Sequence, residues 1–168
     1  GRVCHETLKD EKGKWLGRNE IELVDDKTFV KKGSKEKVTV GSSEAMSKSK
    51  KNIIDPENVI KNFGADALRW FILSDSPPNK DIQWSEEGIS SSFKFIQKLW
   101  TLHEKIKKKI EDDEKEKKVS EDLNKFTNQL INKINKNLEK FNYNVIIAKI
   151  YEMYNFLNHQ TLLLNSLF

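Results

Sequence analysis

The stretch IIDPENVIKNFGADALRWFIL, residues 53–73, decides the fold class, because it holds a helix start, a helix stop and a second helix. Asp55 is a good N-cap residue, and Pro56 suits the first helical position, where its missing N–H breaks no hydrogen bond. Gly64 is predicted to end this short helix in a left-handed conformation. A strongly apolar helix is predicted over residues 65–73, and the pair of prolines that follows stops it.

The chain beyond residue 84 is predicted to form three amphipathic helices. Ser85 caps the first, Ser120 caps the second, and the third begins near Asn144. Short links between such helices predict an antiparallel bundle, with a charged, solvated connection at 111–118. The predicted core positions recur at helical spacing: Ile89, Phe93, Ile96, Leu99, Trp100, Leu102, Ile106 and Ile110; then Leu123, Phe126, Leu130, Ile131, Ile134, Leu138 and Phe141; then Ile147, Ile150, Tyr151, Tyr154 and Leu157.

The N-terminal part of the chain is predicted to be strands and turns. Its β-prone runs lie at 3–8, 21–24, 28–30 and 38–40, and residues with turn chemistry lie at 10–13 and 25–27. The predicted fold class is therefore mainly α with a small β-rich N-terminal part. The predicted division of the chain is a β-rich segment at 1–42, a loop-bearing α subdomain at 43–84 and a truncated helical-bundle domain at 85–168.

Composition restricts the class of protein only loosely. The 168 residues carry 30 basic and 26 acidic side chains. This balance fits a nucleic-acid partner, but a lysine-rich proteome would produce it as well. Cys4 is the only cysteine, which excludes an internal disulfide and predicts a cytoplasmic protein. The three histidines lack metal-ligand spacing, and no run is long enough to span a membrane. Neither end looks natural, so a longer parent protein is expected.

The segment GSSEAMSKSKKN, residues 41–52, carries the chemistry that the sequence predicts. It joins small hinge residues to three lysines and several hydroxyls, just before the first helix. Lysine ammonium groups neutralise phosphate oxygens, serine hydroxyls and backbone N–H groups add donors, and a small-residue hinge allows closure over a ligand. A basic, solvated surface loop would have the same composition, so the loop alone leaves both interpretations open.

The sequence context of this loop favours a phosphate-contacting loop over a plain solvated one. MSKSKKN, residues 46–52, resembles the KMSKS motif of the class I aminoacyl-tRNA synthetases, and residues 53–73 are similar to the sequence that follows the motif there. Residues 74–100, SDSPPNKDIQWSEEGISSSFKFIQKLW, resemble the leucyl-tRNA synthetase branch in particular. GRVCHETLKDEKGKWL at 1–16 and FNYNVIIAKIYEMYNFLN at 141–158 resemble the same branch. The isoleucyl, valyl and methionyl enzymes share the GADALR portion but not the PP…D…W…EG stretch within residues 74–100.

This resemblance implies a KMSKS-type α subdomain followed by an incomplete antiparallel helical bundle that contacts tRNA. It implies ATP as a substrate, with Mg²⁺ bound through the nucleotide, and leucine and tRNA(Leu) as partners. It places Met46, Ser47, Lys48 and Ser49 at the ATP, with Lys48 as the catalytic residue. The family motif opens with lysine where this chain has Ala45, which removes one potential phosphate contact.

Two alternatives to the leucine enzyme stay open. One is another class I synthetase, for isoleucine, valine or methionine, and the other is a non-catalytic helical module that binds tRNA or protein. The resemblance also implies a HIGH motif and a nucleotide-binding sheet, and neither is present in this chain. The isolated chain is therefore expected to be inactive.

The remaining conspicuous side chains are predicted to be structural. Aromatic rings placed among aliphatic residues are assigned to the core rather than to base stacking. Arg69 is expected to pair with Asp66 one turn earlier, and His5 and His103 are assigned no role. The lysines between 105 and 118 alternate with acidic residues and are assigned to a solvated helix end. The rings assigned to the core are Trp70, Phe71, Trp84 and Trp100.

Overall fold

Residues 1–25, 28–112 and 120–165 are described by the computed structural model, residues 112 and 161–165 by their backbone alone. The structure is 55% helical, with five α-helices in this described part and a small strand-rich N-terminal part. The predicted fold class, mainly α with a small β-rich N-terminus, is confirmed at this level.

The strands form one four-stranded sheet and one hairpin. In the sheet, β1 (Val3–Lys9) pairs antiparallel with β2 (Trp15–Leu16) and β5 (Thr39–Ala45), and parallel with β6 (Ile82–Gln83). The hairpin joins β3 (Ile21–Asp25) to β4 (Thr28–Lys31). All four predicted β-prone runs overlap strands. The sequence did not predict β2 and β6, because a two-residue strand has no periodicity of its own. Asp26 and Lys27 of the predicted turn lie outside the described residues.

Two short helices follow where the deciding stretch predicts them. They are α1 (Pro56–Phe63) and α2 (Ala65–Ser74). Asp55 Oδ1 accepts a hydrogen bond from the Glu57 N–H at 3.0 Å, which satisfies one unpaired donor of the first turn. Gly64 separates the helices with a positive φ of 82°, a value that glycine adopts at little cost.

Three longer helices complete the chain: α3 (Glu86–Asp112), α4 (Glu121–Leu138) and α5 (Tyr143–Asn165). The Ser120 hydroxyl caps α4 by accepting from the Leu123 N–H at 3.2 Å, as predicted. Helix α5 packs against α2 and α4. Aromatic rings join these helices, since Phe126 stacks on Phe156 with ring centroids 4.0 Å apart and Phe95 lies 3.9 Å from Tyr151.

The predicted core is correct in part. Ile89, Leu102, Leu130 and Ile147 are buried, and so are Phe71 and Trp84 among the aromatic residues assigned to the core. Trp70 is half-buried against Phe95 and Tyr151. The pattern missed Phe95 and Ile146, which are also buried. The Arg69–Asp66 ion pair is present at 3.1 Å.

Several predicted core positions are wrong. Trp100 is 67% exposed. The packed face of α3 runs through Phe95, Leu99 and Leu102. Trp100 follows Leu99 and is therefore rotated by about 100° around the helix axis, away from that face. Phe141 lies beyond the end of α4, where no helical face positions it. The other exposed positions are Ile110, Ile131 and Leu138, with Tyr151 at the limit of exposure although its ring packs on Phe95.

The predicted extent of the charged connection, residues 111–118, is wrong at its start. Glu111 and Asp112 belong to α3 rather than to a link between helices. Residues 113–118 lie outside the described residues, so the rest of that prediction is untested. Lys105, Lys107 and Lys108 on the last turns of α3 are exposed, as a solvated helix end requires.

Contacts divide the chain into two compact units. The first comprises Gly1–Asn62 and Asn79–Glu86, and the second comprises Phe63–Pro78 and Glu87–Phe168. The first holds the strands and most of α1, and the second holds α2, α4, α5 and nearly all of α3. The predicted boundaries at 42 and 84 stay a prediction. Within the described ranges, none of the helices combines the length and the apolar character that crossing a membrane demands.

Candidate functional site

The candidate site is the turn between β5 and α1, within the first compact unit. Strand β5 ends at Ala45, which lies opposite Cys4 of β1. The next residue, Met46, donates its N–H to the Val3 carbonyl at 3.1 Å, so the start of the turn is fixed beside β1. The turn then closes through a hydrogen bond from the Lys51 N–H to the Lys48 carbonyl at 3.2 Å. Residues 46–51 therefore form a compact turn on the sheet in this structure.

Asn52 joins this turn to both neighbouring strands. Its side-chain Oδ1 accepts from the Ser47 N–H at 2.8 Å. Its Nδ2 donates to the His5 carbonyl of β1 at 3.2 Å and to the Glu44 carbonyl of β5 at 3.1 Å. The side chain is buried, with 4% of its residue surface exposed. One amide thus satisfies three backbone groups on three segments.

The lysines of the turn differ in their partners. Lys50 forms an ion pair with Glu44, and Lys51 forms one with Glu20 at 2.7 Å. These contacts lower the pKa of both carboxyl groups, chiefly through the hydrogen bond from each lysine. Lys48 is exposed and pairs with no carboxylate among the residues that the structure describes. Its ammonium group is therefore the one in the turn that is available to an incoming anion.

The serines of the turn are within reach of each other. The hydroxyls of Ser47 and Ser49 lie 3.2 Å apart, and the Lys50 N–H donates to the Ser47 hydroxyl at 3.3 Å. Ser47 and Met46 are half-buried, whereas Ser49 is exposed. Lys48 and Ser49 therefore lie at the surface, whereas the hydrogen bonds of Ser47 shape the turn.

His5 lies beneath the turn. It is buried, and its Nδ1 lies 3.2 Å from the Asn52 carbonyl oxygen. Burial lowers the pKa of His5, and the nearby positive charge of Arg18 lowers it further. No local sequence pattern connects these residues, because 47 positions separate His5 from Asn52.

Sequence reasoning also missed the partners Glu20 and Glu44 and the function of Asn52 in the turn. Glu20 lies 31 positions before Lys51, so no local pattern indicates their contact. No group of three or more His, Cys, Asp or Glu residues in the described part of the chain is arranged to hold a metal ion.

Comparison with known proteins identifies the class. Residues 21–85, which include the turn, match the family model described as tRNA synthetases class I (I, L, M and V). Over these residues the chain is thus similar to the class I tRNA synthetases. Within that class its relatives are leucine–tRNA ligases.

Two of these relatives show the extent of the likeness. The enzyme of Bartonella tribocorum is 37% identical over 172 residues, which cover 99% of this chain and 19% of the relative. The enzyme of Orientia tsutsugamushi is 42% identical over 155 residues, which cover 92% of this chain and 18% of the relative. The chain therefore spans about a fifth of the length of the relatives that it matches.

A solved structure shares the fold. It is a ternary complex of the agnB2 LeuRS of Agrobacterium radiobacter K84 with tRNA and LeuAMS. The likeness covers 70% of this chain and 16% of that one, at 23% identity and a TM-score of 0.59.

Proposed function

We propose that this chain is the part of a leucine–tRNA ligase that carries the ATP-contacting loop and the beginning of the tRNA-contacting helices. The whole protein would activate leucine with ATP to leucyl-adenylate and transfer the leucyl group to tRNA(Leu). The observation that carries this proposal is that Lys48 is exposed and pairs with no carboxylate in the described part of the chain, whereas the two other lysines of the turn pair with Glu44 and Glu20.

The chemistry explains why one free lysine is useful. In the first step a leucine carboxylate oxygen attacks the α-phosphorus of ATP, and pyrophosphate leaves. Negative charge builds on the phosphate oxygens in the transition state, so an ammonium group placed there lowers the barrier selectively. Lys50 and Lys51 would first have to leave Glu44 and Glu20, whereas Lys48 has no such partner among the described residues.

The neighbours of Lys48 are given supporting roles. We assign Met46, Ser47 and Ser49 to the ATP contact as well, with the exposed Ser49 hydroxyl as a further donor. Mg²⁺ is assigned to the nucleotide phosphates, and the likeness to the class I synthetases supports this assignment. Ala45 stands where the family motif has a lysine. Because alanine has no ammonium group, the phosphate contact of that lysine is missing from this chain.

The architecture follows the same proposal. The turn and the helices after it would form the KMSKS-type α subdomain, and α3, α4 and α5 would form an incomplete antiparallel bundle that contacts tRNA. The division at 1–42, 43–84 and 85–168 belongs to this proposal, as does a cytoplasmic location. Packing of α5 against α4 supports a bundle.

The test replaces Lys48 in the full-length protein. Lys48→Ala is expected to reduce kcat for leucine-dependent pyrophosphate exchange by roughly 100- to 1000-fold, the cost of removing one transition-state donor. The KM for leucine should stay within about twofold, because Lys48 acts on phosphate rather than on the amino acid. Lys61→Ala, at an exposed position on α1, is the matched control and should exchange at the wild-type rate. Wild-type exchange by Lys48→Ala would remove this residue from the mechanism.

A second candidate is a synthetase for another amino acid, because the matched family model spans the I, L, M and V enzymes. Pyrophosphate exchange with leucine, isoleucine, valine and methionine in parallel separates these four. We expect exchange with leucine. No exchange with any of the four would favour a binding module without catalytic activity.

A further inference from the structure

We propose that Asn52 is a positioning residue for adenylate formation, because its side chain locks the turn at 46–51 onto β1 and β5 and so sets where Lys48 is presented. This inference rests on the proposed function of the turn, since it concerns how Lys48 is held. Asn52 itself is buried, with 4% of its residue surface exposed, so its role is to position the turn rather than to contact the substrate.

The hydrogen bonds of Asn52 define the lock. Both hydrogens of Nδ2 are used, one on the His5 carbonyl and one on the Glu44 carbonyl, and Oδ1 accepts from the Ser47 N–H. The two carbonyls belong to neighbouring strands, and the N–H belongs to the residue before Lys48. Leaving polar groups in a buried setting without hydrogen-bond partners destabilises the fold. Removing this amide therefore frees the Ser47 N–H and takes these donors from the His5 and Glu44 carbonyls, although Met46 stays bonded to Val3.

The backbone on the other side of Lys48 shows the same constraint. Lys51, which directly precedes Asn52, has a φ of +56°, a conformation that residues other than glycine rarely adopt. Such a conformation persists when the surroundings determine it. Here the residue that follows Lys51 is Asn52, whose side chain is held by its three hydrogen bonds. The Lys51 ammonium is itself held by Glu20 at 2.7 Å. Lys48 thus lies between two anchored points, Ser47 and Asn52.

A buried asparagine can also be needed for folding alone, so the test must detect coupling to Lys48. In the full-length protein we compare Asn52→Asp and Asn52→Ala with Asn62→Ala, an exposed asparagine on α1. Asn52→Asp keeps the size and the acceptor for Ser47 but loses both donations by Nδ2. Circular dichroism and thermal unfolding check that each variant is folded. If Asn52→Ala does not fold, the kinetic comparison uses Asn52→Asp.

The kinetic prediction is a loss of kcat with binding of leucine retained. Folded Asn52 variants should lose on the order of 10- to 100-fold in kcat for leucine-dependent pyrophosphate exchange, as expected for a small displacement of a catalytic group. The KM for leucine should stay within about twofold, and Asn62→Ala should match the wild type. When Lys48 is already alanine, the Asn52 change should have less than about a twofold further effect. Wild-type kcat in a folded Asn52 variant, or losses that multiply in the double variant, would overturn the inference.

Hydrogen exchange tests the lock without reference to catalysis. The Ser47 amide should exchange faster in Asn52→Ala than in the wild type, because its acceptor is gone, and Asn62→Ala should leave it unchanged. Unchanged Ser47 protection in Asn52→Ala would show that the lock does not exist. Failure of the proposed function has a different signature, namely wild-type exchange of pyrophosphate by Lys48→Ala.

Discussion

At the scale of single residues, charge pairing distinguishes side chains that are chemically the same. Lys48, Lys50 and Lys51 lie within four positions, yet two of them face a carboxylate and one faces solvent. Ion pairs at such solvent-accessible sites contribute little to stability. Their effect here is on availability, because a paired ammonium presents less uncompensated charge to a phosphate.

His5 makes the stability of the strand-rich unit depend on pH. Its pKa in the folded state is lowered, mainly by burial and then by Arg18, although Glu6 and Glu86 act in the opposite direction. The unfolded chain therefore binds the proton more readily, and stability should fall as pH drops below about 6.5. Thermal unfolding of the chain between pH 7.5 and pH 5.5 measures this decrease.

The control variants for this pH dependence are matched histidine replacements. His5→Gln keeps a neutral polar side chain and should flatten the decrease in melting temperature. His103→Gln, at an exposed position of α3, should leave it as in the wild type. An equally steep decrease in His5→Gln would show that another group is responsible.

At the scale of elements, the helices begin where local chemistry predicts, but the buried face of each helix is set by its neighbours. Asp55 and Ser120 each accept a backbone N–H from the first turn that follows. Such caps depend only on adjacent residues, so the sequence displays them. The exposure of Trp100 depends instead on which side of α3 is packed, and apolar spacing left that choice uncertain by about one residue.

The cap of α4 should contribute measurably to stability. Ser120→Ala removes the acceptor for the Leu123 N–H and is expected to destabilise the chain by about 1 kcal/mol. Urea unfolding followed by circular dichroism measures the change. Ser120→Asn retains a capping oxygen and should be close to the wild type, so equal losses in both variants would argue against the cap.

At the scale of the whole molecule, the chain is a segment whose contacts form two compact units. It spans 19% of the Bartonella tribocorum relative, and the matched family model covers residues 21–85. The turn that presents Lys48 lies in the first unit, and helices α2, α4 and α5 lie in the second. Under the proposed function, this turn supplies one contact to the reaction, and the HIGH motif of the whole protein supplies others.

The isolated 168-residue chain is therefore expected to be inactive. It contains no HIGH motif, so leucine-dependent pyrophosphate exchange by the purified chain should not rise above the rate without protein. The full-length protein, assayed under the same conditions, is the positive control. Leucine-dependent exchange by the chain alone would contradict the proposed division of the active site.

The sequence by itself determined the class of fold, the helix starts and the position of the lysine-rich turn. These features depend on neighbouring residues, whose capping, turn and periodicity signals are local. Residues 53–73 illustrate this, because the cap at Asp55 and the positive φ of Gly64 are both present in the structure.

Only the tertiary structure decided which lysines of the turn pair with a carboxylate and what holds the turn. Glu20 reaches Lys51 across 31 positions, and Asn52 reaches His5 across 47. Contacts over such separations depend on how β1, β5 and the turn come together, and no spacing rule encodes them. The same reason explains the short strands β2 and β6, which exist only because β1 offers them hydrogen-bond partners.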